Sequence, residues 1–310
     1  MGARINKALL FALKFLVSGG LLWLLFKNVG SARVAELLKN IPPLSILEAS
    51  IIYLVAQLVS SFRWRLLLND RFGVGRLYSL YLVGSFFNIF LPGIVGGDAV
   101  KVYYLYKGTG KGTQALASVF MDRYTGYVAL VSLGLMAYPF GFRHFGGTWL
   151  QWLLPVIAVG FVFASALIFG MRIGGGRFGK LSNFYDYFHQ YLGRREIFLK
   201  AVGLSVIVQG LGMLAVYILS RGFGLDVPFL AYVVFIPIIT TASSVPLSIS
   251  GLGVREAAFV LLLSSLGVSQ EAAMALSFSW FISMAAASLV GLVEYLRVKE
   301  HGKALPDITD

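Results

Sequence analysis

Lys101 and Arg255 stand in similar surroundings: each is a cation in an apolar stretch, four residues past a glycine (Gly97, Gly251) that itself follows a proline (Pro92, Pro246). At membrane depth a lysine or arginine costs about 2.5–3.5 kcal/mol even on the mildest insertion scale, so something negative has to offset it. Asp98, Asp122 and Glu256 are the candidates within the chain, and a ligand phosphate is the candidate outside it. Asp98 and Lys101, three apart, can share a helix face and pair with each other. Asp122 and Arg123 are immediate neighbours that diverge by about 100° on a helix, so each needs a partner on another element. Gly96-Gly97-Asp98 and Gly251-Leu252-Gly253 read as the starts of short helices, whose free N–H groups and partial positive charge favour anions. The chemistry this predicts is the holding of a phosphate by Lys101, Arg255 and Arg123, with Asp98, Asp122 and Glu256 balancing charge when the site is empty.

Arg63-Trp64-Arg65 has two readings. It is either an interfacial anchor of snorkelling arginines around a belt tryptophan, or a patch that collects headgroups at the mouth of the site. Asn88 precedes the first break and is placed to cap it or line the cavity; Glu294 reads as an interfacial residue. Other chemistry is poorly represented. The chain has no cysteine and three scattered histidines, His144, His189 and His301, which leaves no thiolate or zinc cluster. Gly174 to Leu181 nearly spells a phosphate-binding loop, but Leu181 replaces the magnesium-binding hydroxyl residue and no strand precedes it. Neither a nucleophile elbow nor a helical histidine pair is present. No catalytic residue, metal or cofactor is expected.

The elements that position these residues follow from composition. Of 310 residues, 58% are hydrophobic and 13% charged, with a mean hydropathy of +0.80; soluble domains carry about 25% charged residues. The fold class is therefore an all-α polytopic integral membrane protein, and nucleic acid is a poor partner for the net charge of +12. Six stretches meet the roughly 20 apolar residues that a crossing needs: Ala8–Phe26, Leu44–Phe62, Ala115–Phe140, Trp149–Met171, Lys200–Leu219 and Ala272–Leu296. Lys14 interrupts the first, which reads as an uncleaved helix and not as a signal peptide. Leu77–Leu91 and Pro228–Val245 are each followed by a Pro/Gly-rich break and a second short segment. Both read as broken helical hairpins, re-entrant or fully spanning, tolerated where the freed backbone is buried or lines a cavity.

With the N-terminus inside, eighteen of the 26 lysines and arginines fall in cytoplasmic segments and five in external ones. That bias predicts cytoplasmic termini. Leu181, Phe184, Tyr185, Phe188 and Leu192, flanked by Arg177, Lys180, Arg194 and Arg195, recur at helical spacing. They predict an amphipathic helix on the anionic leaflet or packed under the bundle. The chain also repeats itself. Phe72-Gly73 recurs as Phe223-Gly224, and Tyr81-Leu82-Val83 as Tyr232-Val233-Val234; after a three-residue adjustment Pro92, Gly97 and Lys101 align with Pro246, Gly251 and Arg255. A single membrane domain over residues 1–310 is expected, with halves at 44–140 and 200–297 inserted in opposite senses. Inverted repeats with discontinuous helices are a transporter architecture with a midplane site.

These pieces together resemble a known family. Arg63-Trp64-Arg65, Asn88 to Gly93, Gly96 to Lys101, Asp122-Arg123 and Pro246 to Glu256 look like the flippase-like membrane domain of lysylphosphatidylglycerol synthase/flippase proteins, which include the multiple peptide resistance factor. The similarity covers roughly residues 8–297, and Gly251 to Glu256 is its most specific part. Ser250 and Asp98 depart from the common glycine or proline and glutamate. The resemblance implies an integral inner-membrane lipid flippase or lipid-handling protein; the basic residues make anionic membrane lipids its expected partners. Stand-alone relatives are linked to hopanoids, cardiolipin or polyprenyl-linked sugars. The soluble aminoacyl-transferase domain of larger relatives is not expected in this chain. The alternatives are a membrane transferase acting on a polyisoprenyl-phosphate substrate, and a non-catalytic partner that docks a separate lipid synthetase or glycosyltransferase on the basic 172–200 loop.

Overall fold

Prolines and glycines set several of the helix ends. One helix begins at Pro43, the first-turn position where a missing N–H is harmless, directly behind Pro42. Another begins behind Pro228. Gly224 ends a third in the left-handed region (φ +69°), with the Leu225 N–H bonded to the Ser220 carbonyl. Gly73, in the matching Phe-Gly pair, precedes a helix and is not left-handed. The pair therefore recurs in sequence without recurring in conformation.

The computed structural model describes residues 15–27, 29–68, 72–90, 96–145, 147–170, 193–245, 248 and 250–300. Every regular element among them is helical. In chain order they are α1 (Phe15–Lys27), α2 (Ser31–Asn40), α3 (Pro43–Leu67), α4 (Val74–Phe90), α5 (Gly96–Thr109) and α6 (Gly112–Phe145). A 3-10 turn (Trp149–Trp152) leads to α7 (Leu153–Gly170), α8 (Arg195–Gly222), α9 (Phe229–Ser244), α10 (Val254–Ser264) and α11 (Gln270–Glu300). The amphipathic segment expected at 181–192 lies outside the described residues, as do both chain ends.

Four helical stretches are long and apolar enough to cross a membrane: Pro43–Leu67, Trp149–Gly170, Arg195–Gly222 and Gln270–Arg297. The sequence reading counts six. The first of its stretches is represented by α1, which meets α2 at a 92° bend; as one span the pair would make a fifth. The stretch 115–140 lies inside α6, whose 34 residues reach about 51 Å and include Asp122 and Arg123; it is not among the four. Both expected breaks are present as pairs of shorter helices. α5 has 14 residues and α10 has 11, and neither alone spans about 30 Å of hydrocarbon.

The helices pack in a reciprocal pattern. α3 lies antiparallel along α8, with Arg63 beside Ser205 at one end and Ser45 beside Gly222 at the other. α4 packs on α11, and α9 packs on α6; α3 touches α11, and α8 touches α6; α5 lies on α6, and α10 on α11. Glycines allow two of the closest approaches. A Cβ on Gly97 of α5 would lie 1.9 Å from the Gly84 carbonyl oxygen of α4, and one on Gly291 of α11 would lie 2.0 Å from the Leu82 carbonyl oxygen. α4 is thus held backbone to backbone on two sides. Residues 231–239 of α9 are buried without interruption, as expected of a helix that is apolar all round. α7 presents Val156, Val159, Val162 and Phe163 outward, the face a lipid-exposed helix shows.

Candidate functional site

Five helices converge on one buried polar cluster. α3 contributes Arg63, 5% exposed. Its Nε donates to Asp122 Oδ1 of α6 at 2.8 Å, its Nη1 donates to Ser205 Oγ of α8 at 2.9 Å, and its Nη2 points to the Tyr81 hydroxyl of α4 at 3.4 Å. The Tyr81 hydroxyl in turn donates to the second oxygen of Asp122. Both carboxylate oxygens are occupied, which the burial of a charge demands. Gly126, one turn beyond Asp122, makes room: a Cβ there would lie 3.3 Å from Arg63 Nη1.

Lys101 of α5 is 3% exposed. Its Nζ lies 3.7 Å from the centroid of the Tyr81 ring and 5.6 Å from that of Trp64, and 3.5 Å from Asp98. Two aromatic faces replace part of the lost hydration of the ammonium. Trp64, fully buried, is fixed by donating its indole N–H to Ser118 Oγ at 3.2 Å. Gly84 clears the path of the lysine stem; a Cβ there would stand 3.0 Å from Lys101 Cε. Asp98 also accepts a two-pronged contact from Arg123 of α6, at 2.9 and 3.2 Å. The Arg123 side chain is 54% exposed, so it is the cation of this cluster that a ligand can reach.

Among the described residues the cluster carries three cations, Arg63, Lys101 and Arg123, against two carboxylates, Asp98 and Asp122. Its distance from the helix ends follows from helix rise. Lys107 and Lys111 flank the α5–α6 turn; Asp98 lies about 14 Å up α5 from Lys107, Arg123 about 17 Å up α6 from Gly112, and Arg63 about 6 Å from the end of α3 at Leu67. Beside the pair, α5 and α6 enclose an open groove of about 430 Å³, almost wholly apolar, whose lining includes Asp98, Val102, Tyr106, Leu116 and Val119.

The second break forms a different arrangement. Glu256, fully buried, accepts from the Gly253 N–H at 2.6 Å and so caps its own helix. Its other oxygen accepts from Arg255 Nη2 at 2.6 Å, Arg255 Nε at 3.1 Å and Ser277 Oγ at 3.1 Å. The Arg255 guanidinium lies 4.9 Å from the Phe281 ring centroid. Adjacent helical residues diverge, but here the glutamate turns back over the first turn and meets its neighbour.

Asp122 and Arg123 each find a partner on another helix, as their spacing requires. Asp98 and Lys101 pair locally, while Asp98 is shared with Arg123. Lys101 and Arg255, expected on one cavity, share no hydrogen-bond, ion-pair or ring partner among the described residues. The structure brings the breaks themselves together instead: Asn88 Oδ1 accepts from the Gly97 N–H at 2.8 Å, and the Asn88 carbonyl accepts from Ser250 Oγ at 3.4 Å. Leu21 of α1 packs over Gly253, where a Cβ would come within 2.7 Å of Leu21 Cβ. Gly96 opens α5 and Gly251 is left-handed (φ +77°); Pro92 and Pro246 lie outside the described residues. Arg63 is buried and paired, neither snorkelling nor at an open mouth, and Arg65 is half-buried. Sequence reasoning missed Ser205 and Ser277, hydroxyls in apolar helices, and treated Tyr81 only as a repeat marker. A hydroxyl inside a stretch meant for lipid is the signal that could have found them.

A family model described as lysylphosphatidylglycerol synthase TM region matches residues 11–291. The chain is also similar to a UPF0104 membrane protein of Methanothermobacter thermautotrophicus, 22% identical over 271 residues, covering 76% of this chain and 80% of the relative.

Proposed function

Because the chain belongs to the lysylphosphatidylglycerol synthase TM region family, we propose that it is a flippase-like transporter. It moves an anionic phospholipid or a polyisoprenyl-phosphate-linked lipid between leaflets and leaves it chemically unchanged. One observation carries this reading: among the described residues, a cluster of three cations gathered by five apolar helices holds two carboxylates. An unbalanced positive charge among membrane helices is costly, and one negative headgroup offsets it. The adjoining apolar groove gives acyl chains a surface to follow while the headgroup is inside.

The reciprocal packing supports an inverted repeat. Exchanging α3 with α8, α4 with α9, α5 with α10 and α6 with α11 turns each neighbouring pair of these eight helices into another neighbouring pair. The axis that does so runs between the antiparallel α3 and α8, so the halves enter the bilayer in opposite senses and can rock against each other. The charge bias supports an orientation with both termini cytoplasmic, and the family resemblance supports the inner membrane as its location. The chain lacks cysteine, so single cysteines introduced at Gly110 and Gly224 can report the side of each turn by reagent access.

The test of transport is reconstitution in liposomes carrying fluorescent phosphatidylglycerol or a polyprenyl-phosphate sugar lipid in one leaflet, with quenching of the exposed pool. Transbilayer exchange faster than in protein-free vesicles is expected for at least one anionic lipid. Rates equal to those of empty vesicles for every headgroup would overturn the proposal.

A further inference from the structure

The charge excess does not say which group the lipid touches, and three features of the Asp98–Arg123 pair do. Asp98 has two cationic partners, Arg123 at 2.9 Å and Lys101 at 3.5 Å, whereas Asp122 is engaged by Arg63. If Arg123 leaves, Asp98 stays paired with Lys101 and no carboxylate is orphaned. Arg123 is also half exposed, while Arg63 and Lys101 are buried. Finally, its contact with Asp98 uses both prongs of the guanidinium, the geometry with which arginine takes two oxygens of a phosphate.

We propose that Asp98 is a built-in stand-in for the lipid phosphate, and that the phosphodiester of an incoming lipid displaces it from Arg123. Resting on the transport reading, this names the substrate class of that site: headgroups whose net charge is −1. Asp98 then remains with Lys101, the phosphate takes the fork of Arg123, and the cluster becomes neutral. The apolar groove commits the ligand to a lipid over a soluble phosphate, because its Val102, Tyr106, Leu116 and Val119 walls meet an acyl chain and offer a hydrated anion nothing. Zwitterionic headgroups leave the excess charge uncompensated, and a headgroup esterified with lysine, net positive, adds to it. Asp98 limits how tightly the lipid is held, as a transporter that must release its cargo requires.

The experiment is equilibrium binding in nanodiscs of neutral lipid, with fluorescent phosphatidylglycerol as the probe and no transport required. Arg123→Gln should weaken binding by about tenfold to a hundredfold, the range for losing charge-assisted hydrogen bonds. Asp98→Asn should tighten it, because the competitor is gone. Arg297→Gln, on the exposed end of α11, should leave it unchanged. Unlabelled phosphatidylglycerol should displace the probe better than phosphatidylcholine, and phosphatidylcholine better than the lysyl ester of phosphatidylglycerol; inorganic phosphate should not displace it. Binding by Arg123→Gln at wild-type strength overturns the proposal, as does weaker binding by a folded Asp98→Asn. Displacement by inorganic phosphate removes the role of the groove. Transport that persists with Arg123-independent binding defeats this inference and spares the flippase reading; Arg123-dependent binding without transport does the reverse.

Discussion

The two broken-helix units solve the same problem in different ways. Each places a cation four residues past a glycine in apolar sequence. In the second, Arg255 and Glu256 form a neutral, enclosed pair, sealed by Ser277 and Phe281 and covered near Gly253 by α1. In the first, Lys101 shares Asp98 with a half-exposed arginine, and the wider cluster keeps an excess positive charge. The offset that aligns Lys101 with Arg255 sets Ser277 opposite Arg123 and Leu252 opposite Asp98. With leucine and serine in place of the aspartate–arginine pair, the second site is a closed ion pair; with the pair kept, the first has a half-exposed arginine. On the transport reading proposed above, a few side chains thus make one broken-helix unit a structural joint and the other a binding place.

The largest effect should come from breaking the closed site. Glu256→Gln leaves Arg255 buried without its counter-charge and weakens the cap on α10, costing about 3–5 kcal/mol, read as a loss of thermal stability in detergent. Arg255→Met combined with Glu256→Gln should recover most of that loss, since a neutral buried pair need not be ionic to be stable. A double variant as unstable as the single one would show that the site does more than balance itself.

A smaller effect separates the two aligned glycines. Gly97→Ala drives a methyl into the Gly84 carbonyl and pries α4 from α5, an overpacking cost of about 1–3 kcal/mol, and it disturbs the approach of Lys101. Gly251→Ala instead pays for a left-handed backbone, about 1–2 kcal/mol, with little displacement of the first cluster. Phosphatidylglycerol binding should therefore fall in Gly97→Ala and persist in Gly251→Ala at comparable stability. Equal losses of binding would make the two sites one.

Much of this difference was hidden in the sequence for identifiable reasons. The membrane class, both breaks and the need of Asp122 and Arg123 for partners on other helices are set by local composition and helical geometry, so they could be read directly. Which partners they find depends on helix crossings. Arg63, at the end of an apolar helix, has the sequence context of an interfacial anchor, and only the antiparallel fit of α3 on α8 and the clearance at Gly126 bury it. Lys101 and Arg255 look equivalent because spacing records distance from a glycine and says nothing of depth or neighbours. Of the six expected spans, four meet length and apolarity among the described residues, and α6, which carries Asp122 and Arg123 of the site, is not one of them.

The smallest stability effect should fall on the residue with the largest expected role in binding. Arg123→Gln leaves Asp98 with Lys101 and the cluster with two cations against two carboxylates, so no buried charge is stranded. Thermal unfolding of Arg123→Gln should therefore lie close to wild type. Arg63→Gln, which strands Asp122 in a buried setting, should lose about 3–5 kcal/mol. Were the two arginines to cost the same, Arg123 would be a structural tie like Arg63, and the contrast between a fixed joint and an exchangeable one would fail at the place where it matters most.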